Sequence, residues 1–341
     1  MKTVCLLISG LLISCTGIAG QVPATGTDSL FLSDKVIRME LRTDFSAIEA
    51  ERTGTPALHE GELTYHLRGS APVTVNVKVM ARGNFRLNPA NCSFPPLLID
   101  LSNSEIQNTL FENQKRLKLV TPCQDEEDLI EEYLIYKMYN EVTDWSLRAR
   151  LVRIEYFDIS IDKKLFTKYS FFIEDKDRAA ERNNASVRDS GVLTHELNSD
   201  NFIKLSVFQY IIGNKDWNVY LNKNVVLLQP ENLSDGVYTI PYDFDFSGLI
   251  NAQYTQNKVV PEDIRKERRE YHGLCHTEKE FREVFDFYIG LRPVFRRIIL
   301  KQNLLPFPGR EDLMAYIDAF YRVLEDPELI RKEFLEVCIT K

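Results

Sequence analysis

Two stretches in the second half of the chain carry side chains suited to phosphate and metal chemistry. The first contains Asp216 and Asn224, and the second contains Asp243 and Asp245. Phosphoryl transfer from a nucleotide needs one carboxylate to orient or deprotonate the acceptor hydroxyl, and oxygen ligands to hold Mg²⁺. Asp216 is the candidate for the first role. Asn224 and Asp243 are candidates for the second, with Asp245 as an alternative or additional ligand.

A predicted helix and a predicted hairpin would position these groups. Asn201 to Ile212 has apolar residues at helical spacing, and Gly213-Asn214 directly after it indicates the end of the helix. Val225 to Leu228 and Val237 to Pro241 are predicted to be short strands joined by a turn.

Such a hairpin would bring Asn224 and Asp243 close together at its open end. In strand alternation Asp243 and Asp245 point to the same side, so both could face one ion. The alternative interpretation is that these acids shape turns, form a calcium site or are simply exposed strand residues.

The first half of the chain is rich in predicted strands. Val73 to Val79 alternates valines with polar residues, which predicts a half-buried strand. Further strands are predicted over 35–41, 97–101, 117–120, 150–156 and 166–173, a helix over 125–140, and a charged loop over 175–190. Helices dominate the end of the chain, where Thr277 and Glu280 form a capping box.

This order predicts an α+β fold with two lobes, as in protein kinases. The strand-rich N-lobe would cover about 35–174, and the helix-rich C-lobe about 191–341.

Several motifs resemble the CotH family, atypical kinases first known from bacterial spore coats. They are Arg82-Gly83-Asn84 after an alternating strand, Gly213-Asn214-x-Asp216 after a helix, and Pro241-Tyr242-Asp243-Phe244-Asp245. The resemblance extends from about Val73 to Phe246.

The resemblance implies a kinase-like fold, Mg²⁺ or Mn²⁺, and ATP as co-substrate. Asp216 would be the catalytic aspartate, and Asn224, Asp243 and Asp245 the metal ligands. Lys118 would pair with phosphate and with Glu132 on the following helix, and Arg82 would also contact phosphate. The alternative is that Lys118 extends to solvent along its stem and Glu132 is an ordinary helix acid.

The chain departs from the family pattern in its first half. Phe94-Pro95-Pro96-Leu97 stands where the family usually has a lysine-bearing strand, and the glycine-rich phosphate loop is missing. This departure favours a second hypothesis, a non-catalytic pseudokinase or cell-surface binding and scaffold protein. The partner would be a protein substrate in the first case and a surface assembly partner in the second. Hydrolase motifs such as Gly-x-Ser-x-Gly and HExxH are absent from the sequence.

The formal net charge of −8 argues against a nucleic-acid-binding protein, because domains that bind nucleic acid are usually basic. Residues 1–20 are predicted to be a secretory signal, followed by a tether over 21–34 and one domain over 35–341. Leu12-Ile13-Ser14-Cys15 resembles a lipobox, which would attach the protein to a membrane through lipid on Cys15. The alternative is cleavage by the ordinary signal peptidase at the small residues of Gly17-Ile18-Ala19-Gly20. The predicted location is therefore the periplasm or the cell surface.

Four cysteines remain outside the leader, namely Cys92, Cys123, Cys275 and Cys338. They allow three pairings, and the sequence alone does not choose among them. Cys92 and Cys123 flank neighbouring strand-like segments, so this bridge is the first expectation.

Overall fold

The protein is described by a computed structural model over residues 29–250 and 269–340. This part of the chain has an α+β fold, which confirms the predicted class. The strands are β1 (Ile37–Thr43), β2 (His59–His66), β3 (Val73–Ala81), β4 (Leu97–Asp100), β5 (Arg116–Val120), β6 (Ala149–Asp158), β7 (Lys163–Ile173), β8 (Ala185–Val187), β9 (Val225–Pro230) and β10 (Tyr238–Pro241). The helices are α1 (Phe45–Ala50), α2 (Glu126–Val142), α3 (Lys176–Arg182), α4 (Ser199–Ile212), α5 (Glu278–Leu300), α6 (Phe307–Leu324) and α7 (Pro327–Ile330).

The first seven strands form a closed barrel in the order β1-β2-β3-β4-β5-β7-β6. Neighbours are antiparallel except for β1 and β6, which run parallel and close the barrel. The valines of β3 follow the predicted alternation, since Val75, Val77 and Val79 are buried while Thr74 and Asn76 are exposed. Their side chains join an apolar core shared by β1 to β7.

A second core lies among the helices. Residues of α2, α4, α5 and α6 pack together there, and the small sheet β10-β9-β8 contributes to it. Thr277 caps α5 as predicted, because its side chain accepts from the Glu280 backbone and the Glu280 side chain accepts from the Thr277 backbone. None of the helices in residues 29–250 and 269–340 has the length and hydropathy needed to cross a bilayer.

Two boundaries differ from the sequence prediction. Leu30 and Phe31, assigned to the tether, are buried in the barrel core. The predicted loop over 175–190 contains α3 and β8 instead. The Asp175 side chain caps α3 by accepting from the Asp177 backbone, and β8 pairs with β9. The predicted leader lies outside the described residues.

The four described cysteines form two disulfides, Cys92–Cys123 and Cys275–Cys338. The first pairing confirms the expectation from the sequence. Stable disulfides are typical of oxidising compartments and rare in the cytosol, so both bridges are consistent with a non-cytoplasmic protein.

Candidate functional site

The loop that carries Asp216 is fixed at the end of α4. Gly213 ends the helix in the left-handed region, at φ 64°. Asn214 is buried, accepts a hydrogen bond from the Asp216 backbone nitrogen at 2.9 Å, and donates to Gln209 Oε1 at 3.1 Å. A Cβ at position 213 would overlap the hydroxyl of Tyr316, so glycine avoids both a strained backbone and a displacement of that side chain.

The Asp216 carboxylate has two neighbours from the hairpin that follows. Asn224 Nδ2 donates to Asp216 Oδ2 at 3.0 Å and to the Asp216 carbonyl oxygen at 2.7 Å. Lys223 forms an ion pair with Asp216 Oδ1. The role of Lys223 was missed at the sequence level, where its position next to Asn224 was the one available signal.

The hairpin brings Asn224 and Asp243 together, as predicted. The backbone nitrogen of Tyr242 donates to the Asn224 carbonyl oxygen at 3.0 Å, which sets Asp243 at the open end of β9 and β10. Asn224 and Asp243 both have left-handed backbones, at φ 54° and 64°. Asn and Asp enter this region more readily than other residues with a side chain, and five further Asn and Asp residues of the described chain do so as well.

The segment after β10 is attached to the helical core. The backbone nitrogen of Asp243 donates to the hydroxyl of Tyr136 on α2 at 3.0 Å. Phe244 is fully buried, with its ring centroid 4.8 Å from that of Tyr136 and 6.4 Å from that of Phe208 on α4. The position of Asp243 is therefore set by α2 and α4 as well as by the hairpin.

Strand alternation does not relate Asp243 to Asp245, so this part of the prediction is wrong. The strand β10 ends at Pro241, and the left-handed backbone of Asp243 changes the direction of the chain. Asp245 is only 4% exposed, and its charge acts on the buried carboxyl group of Glu132.

The predicted ion pair between Lys118 and Glu132 does not form. Glu132 instead lies 3.7 Å from Arg86 Nη1, and a second nitrogen of Arg86 donates to the Thr121 carbonyl oxygen. Burial raises the pKa of Glu132 well above its ordinary value, the charge of Asp245 raises it further, and Arg86 opposes both effects.

Lys118, in β5, packs its ammonium group over the ring of Tyr242, 4.3 Å from the centroid. Burial lowers the pKa of Lys118 to about 8; the charge of Arg82 lowers it further, whereas Asp243 raises it. Within the described chain, none of the side chains of Lys118, Arg82 and Asp243 takes part in an ion pair. The three charged groups are close enough to influence one another, yet they do not neutralise one another by contact.

A cavity of about 330 Å³ opens beside Lys118 and Tyr242. Its walls include apolar side chains from both halves of the chain, namely Leu147, Ile173, Val226 and Leu227. Its volume is in the range of small-molecule sites, and its walls also carry charged side chains, among them Lys176, Arg188 and Asp189. A larger cavity of about 1290 Å³ shares Arg116 and Asp175 with it, and neither cavity is lined by Arg82, Asp216, Asn224 or Asp243.

The oxygen atoms of Asn224 and Asp243 suit a hard cation such as Mg²⁺ or Mn²⁺. Asn224 uses its amide nitrogen for Asp216, which leaves its side-chain oxygen for another partner. In the described ranges no three His, Cys, Asp or Glu side chains are grouped to hold a metal ion. A cation here would therefore need water and phosphate oxygens as further ligands, which is usual for Mg²⁺ at nucleotide sites.

The sequence was also compared with known proteins. No protein-family model matches the chain, and no curated protein matches it either.

Proposed function

We propose that the chain is an exported, CotH-like atypical kinase that transfers a phosphoryl group from ATP to a hydroxyl group of a protein. The observation that carries this proposal is the group of Lys118, Arg82 and Asp243, three charged side chains with no ion pair among the described residues. Two cations and a carboxylate that act on one another without an ion pair can bind a phosphate and its metal ion between them, and Lys118 also lines the cavity beside Tyr242.

Each residue has a role in this proposal. Lys118 and Arg82 would bind the phosphate oxygens, and Asn224 and Asp243 would hold Mg²⁺ or Mn²⁺. When bound, the cation would neutralise negative charge on the phosphates. Asp216 would orient the acceptor hydroxyl and accept its proton, with Asn224 fixing the direction of the carboxylate through the bond at 3.0 Å.

The order of the elements supports a two-lobed, kinase-like arrangement. A strand barrel with α2 packed beside it is followed by α4, the Asp216 loop and the β9–β10 hairpin. The cavity has walls from both parts of the chain. The two disulfides support export, and attachment to a membrane through lipid on Cys15 is part of the proposal.

One observation favours a second candidate function, a non-catalytic pseudokinase or surface scaffold. Lys223 forms an ion pair with Asp216 Oδ1 and Asn224 donates to Oδ2, so both oxygens of the proposed base already have partners. The missing glycine-rich loop points in the same direction. In this case the site would bind a nucleotide or an assembly partner without transferring phosphate.

Thermal unfolding with and without millimolar MgATP or MnATP tests the binding step. We expect the nucleotide to raise the unfolding temperature of the wild type and to have little effect on Asp243→Ala. Asp312→Ala, at an exposed acid on α6, is the matched control and should respond as the wild type does. An unchanged unfolding temperature in the wild type would contradict the proposal.

Incorporation of labelled phosphate into an acceptor protein separates the two functions. The kinase requires incorporation that Asp216→Asn abolishes while nucleotide binding persists. Binding without any incorporation would instead support the pseudokinase.

A further inference from the structure

The Cys92–Cys123 disulfide joins two segments that carry the positively charged part of the site. Cys92 lies in an irregular segment, residues 82–96, and Cys123 lies just before α2. Ser93 adds two hydrogen bonds across the same junction, from its nitrogen at 3.2 Å and its hydroxyl at 2.6 Å to the Cys123 carbonyl oxygen.

Segment 82–96 has no strand or helix of its own, so individual hydrogen bonds hold it in place. The guanidinium group of Arg52, 3% exposed, donates to the carbonyl oxygens of Leu87 at 2.9 Å and Cys92 at 2.6 Å. The backbone nitrogen of Arg82 donates to the Pro96 carbonyl oxygen at 2.8 Å. Together with the disulfide, these bonds determine where the segment lies.

The segment carries two arginines toward the site. Arg82, at its start, acts electrostatically on Lys118. Arg86 pairs with Glu132 on α2 and contacts the carbonyl oxygen of Thr121, two residues before Cys123. Segment 82–96 is therefore joined to the start of α2 twice, by the disulfide and by the contact between Arg86 and Glu132.

We infer that formation of the Cys92–Cys123 disulfide completes the nucleotide site, so that the chain reaches its full nucleotide affinity only after this pair is oxidised. The inference rests on the proposed function and adds its regulation. The two thiols lose two protons and two electrons, one sulfur–sulfur bond forms, and an external disulfide oxidant is reduced to two thiols.

Burial makes this an assembly step rather than a switch in the folded protein. Cys92 and Cys123 are 1% and 3% exposed, so an oxidant or reductant reaches them only while the segment is open. A chain that folds in a reducing compartment would hold segment 82–96 by hydrogen bonds alone and would bind nucleotide more weakly.

Two pairs of substitutions in the full chain test this inference. Cys92→Ser with Cys123→Ser removes the bridge at the site, and Cys275→Ser with Cys338→Ser removes the other bridge as the matched control. The first readout is amide hydrogen exchange over residues 82–96 and 121–134 without nucleotide. We expect exchange to speed up by about tenfold or more in the first variant alone.

The second readout is the affinity for MgATP. If the segment occupies its binding position for about one tenth of the time, the apparent affinity falls about tenfold in the first variant. The control variant should stay within about threefold of the wild type. If the serine pair does not fold, Cys92→Ala with Cys123→Val provides an apolar replacement.

The outcomes separate this inference from the proposed function. A wild type that does not bind MgATP refutes the proposed function, while hydrogen exchange still decides whether the disulfide orders the segment. Unchanged exchange in the first variant overturns the inference. Equal losses of MgATP affinity in both variants also overturn it, because the effect would then be one of general stability.

Discussion

Replacing Lys118 with methionine should make the protein without nucleotide more stable. The folded state lowers the pKa of this lysine from 10.5 to about 8, mainly through burial. Keeping the ammonium charged in the folded protein at neutral pH therefore costs up to about 3 kcal/mol. Lys118→Met removes this cost and keeps a side chain of similar length. A charged group retained at such a cost is typical of a functional site.

The titration of Lys118 predicts how the free energy of unfolding changes with pH. Between about 8 and 10.5 the unfolded chain keeps the proton of Lys118 and the folded chain releases it. The free energy of unfolding of the wild type should therefore rise with pH across this window. In Lys118→Met that contribution is absent, so the stability advantage of the variant should shrink from pH 8 and disappear near pH 10.5.

Urea unfolding at a series of pH values measures both effects. Lys164→Met is the control, because Lys164 is half exposed on β7 and its ion pair with Glu155 is solvent-accessible. Adding MgATP should stabilise the wild type but not Lys118→Met. A variant less stable than the wild type at pH 7 would refute the reasoning, since it would show that the ammonium group makes a net stabilising contact.

Other substitutions test other parts of the site. Burial raises the pKa of Glu132, so the folded protein keeps the proton of this carboxyl group above pH 4.5, where the unfolded chain loses it. The free energy of unfolding should therefore fall as pH rises from 4.5, and Glu132→Gln should flatten this fall in urea unfolding. Gly213→Ala should destabilise the protein by at least about 1 kcal/mol, because position 213 has a left-handed backbone and an added Cβ would contact Tyr316. Gly290→Ala, in the interior of α5 with open space around it, should stabilise the protein, and thermal unfolding compares the two variants. Tyr136→Phe removes the acceptor for the Asp243 backbone nitrogen and should cost about 1 kcal/mol in urea unfolding and weaken MnATP binding by calorimetry. A stability difference between Glu132→Gln and the wild type that does not change with pH would contradict the first prediction. A Gly213→Ala variant as stable as the wild type would contradict the second, and an unchanged MnATP affinity in Tyr136→Phe would contradict the third.

Local patterns in the sequence determined most of the individual elements. The alternation in β3, the glycine that ends α4 and the Thr277 capping box depend on neighbouring residues, so the sequence displays them directly. The proximity of Asn224 to Asp243 was also predictable, because a hairpin between β9 and β10 fixes it through local pairing.

The tertiary structure decided the partners of the charged residues. The pairing of Arg86 with Glu132 joins an irregular segment to a helix, and no spacing in the sequence encodes such a contact. The backbone nitrogen of Asp243 donates to Tyr136, which is distant in the chain, and the left-handed backbone of Asp243 breaks the alternation expected for Asp245. Long-range contacts of this kind arise from packing around a shared core, whereas a sequence pattern reports only the neighbours along the chain.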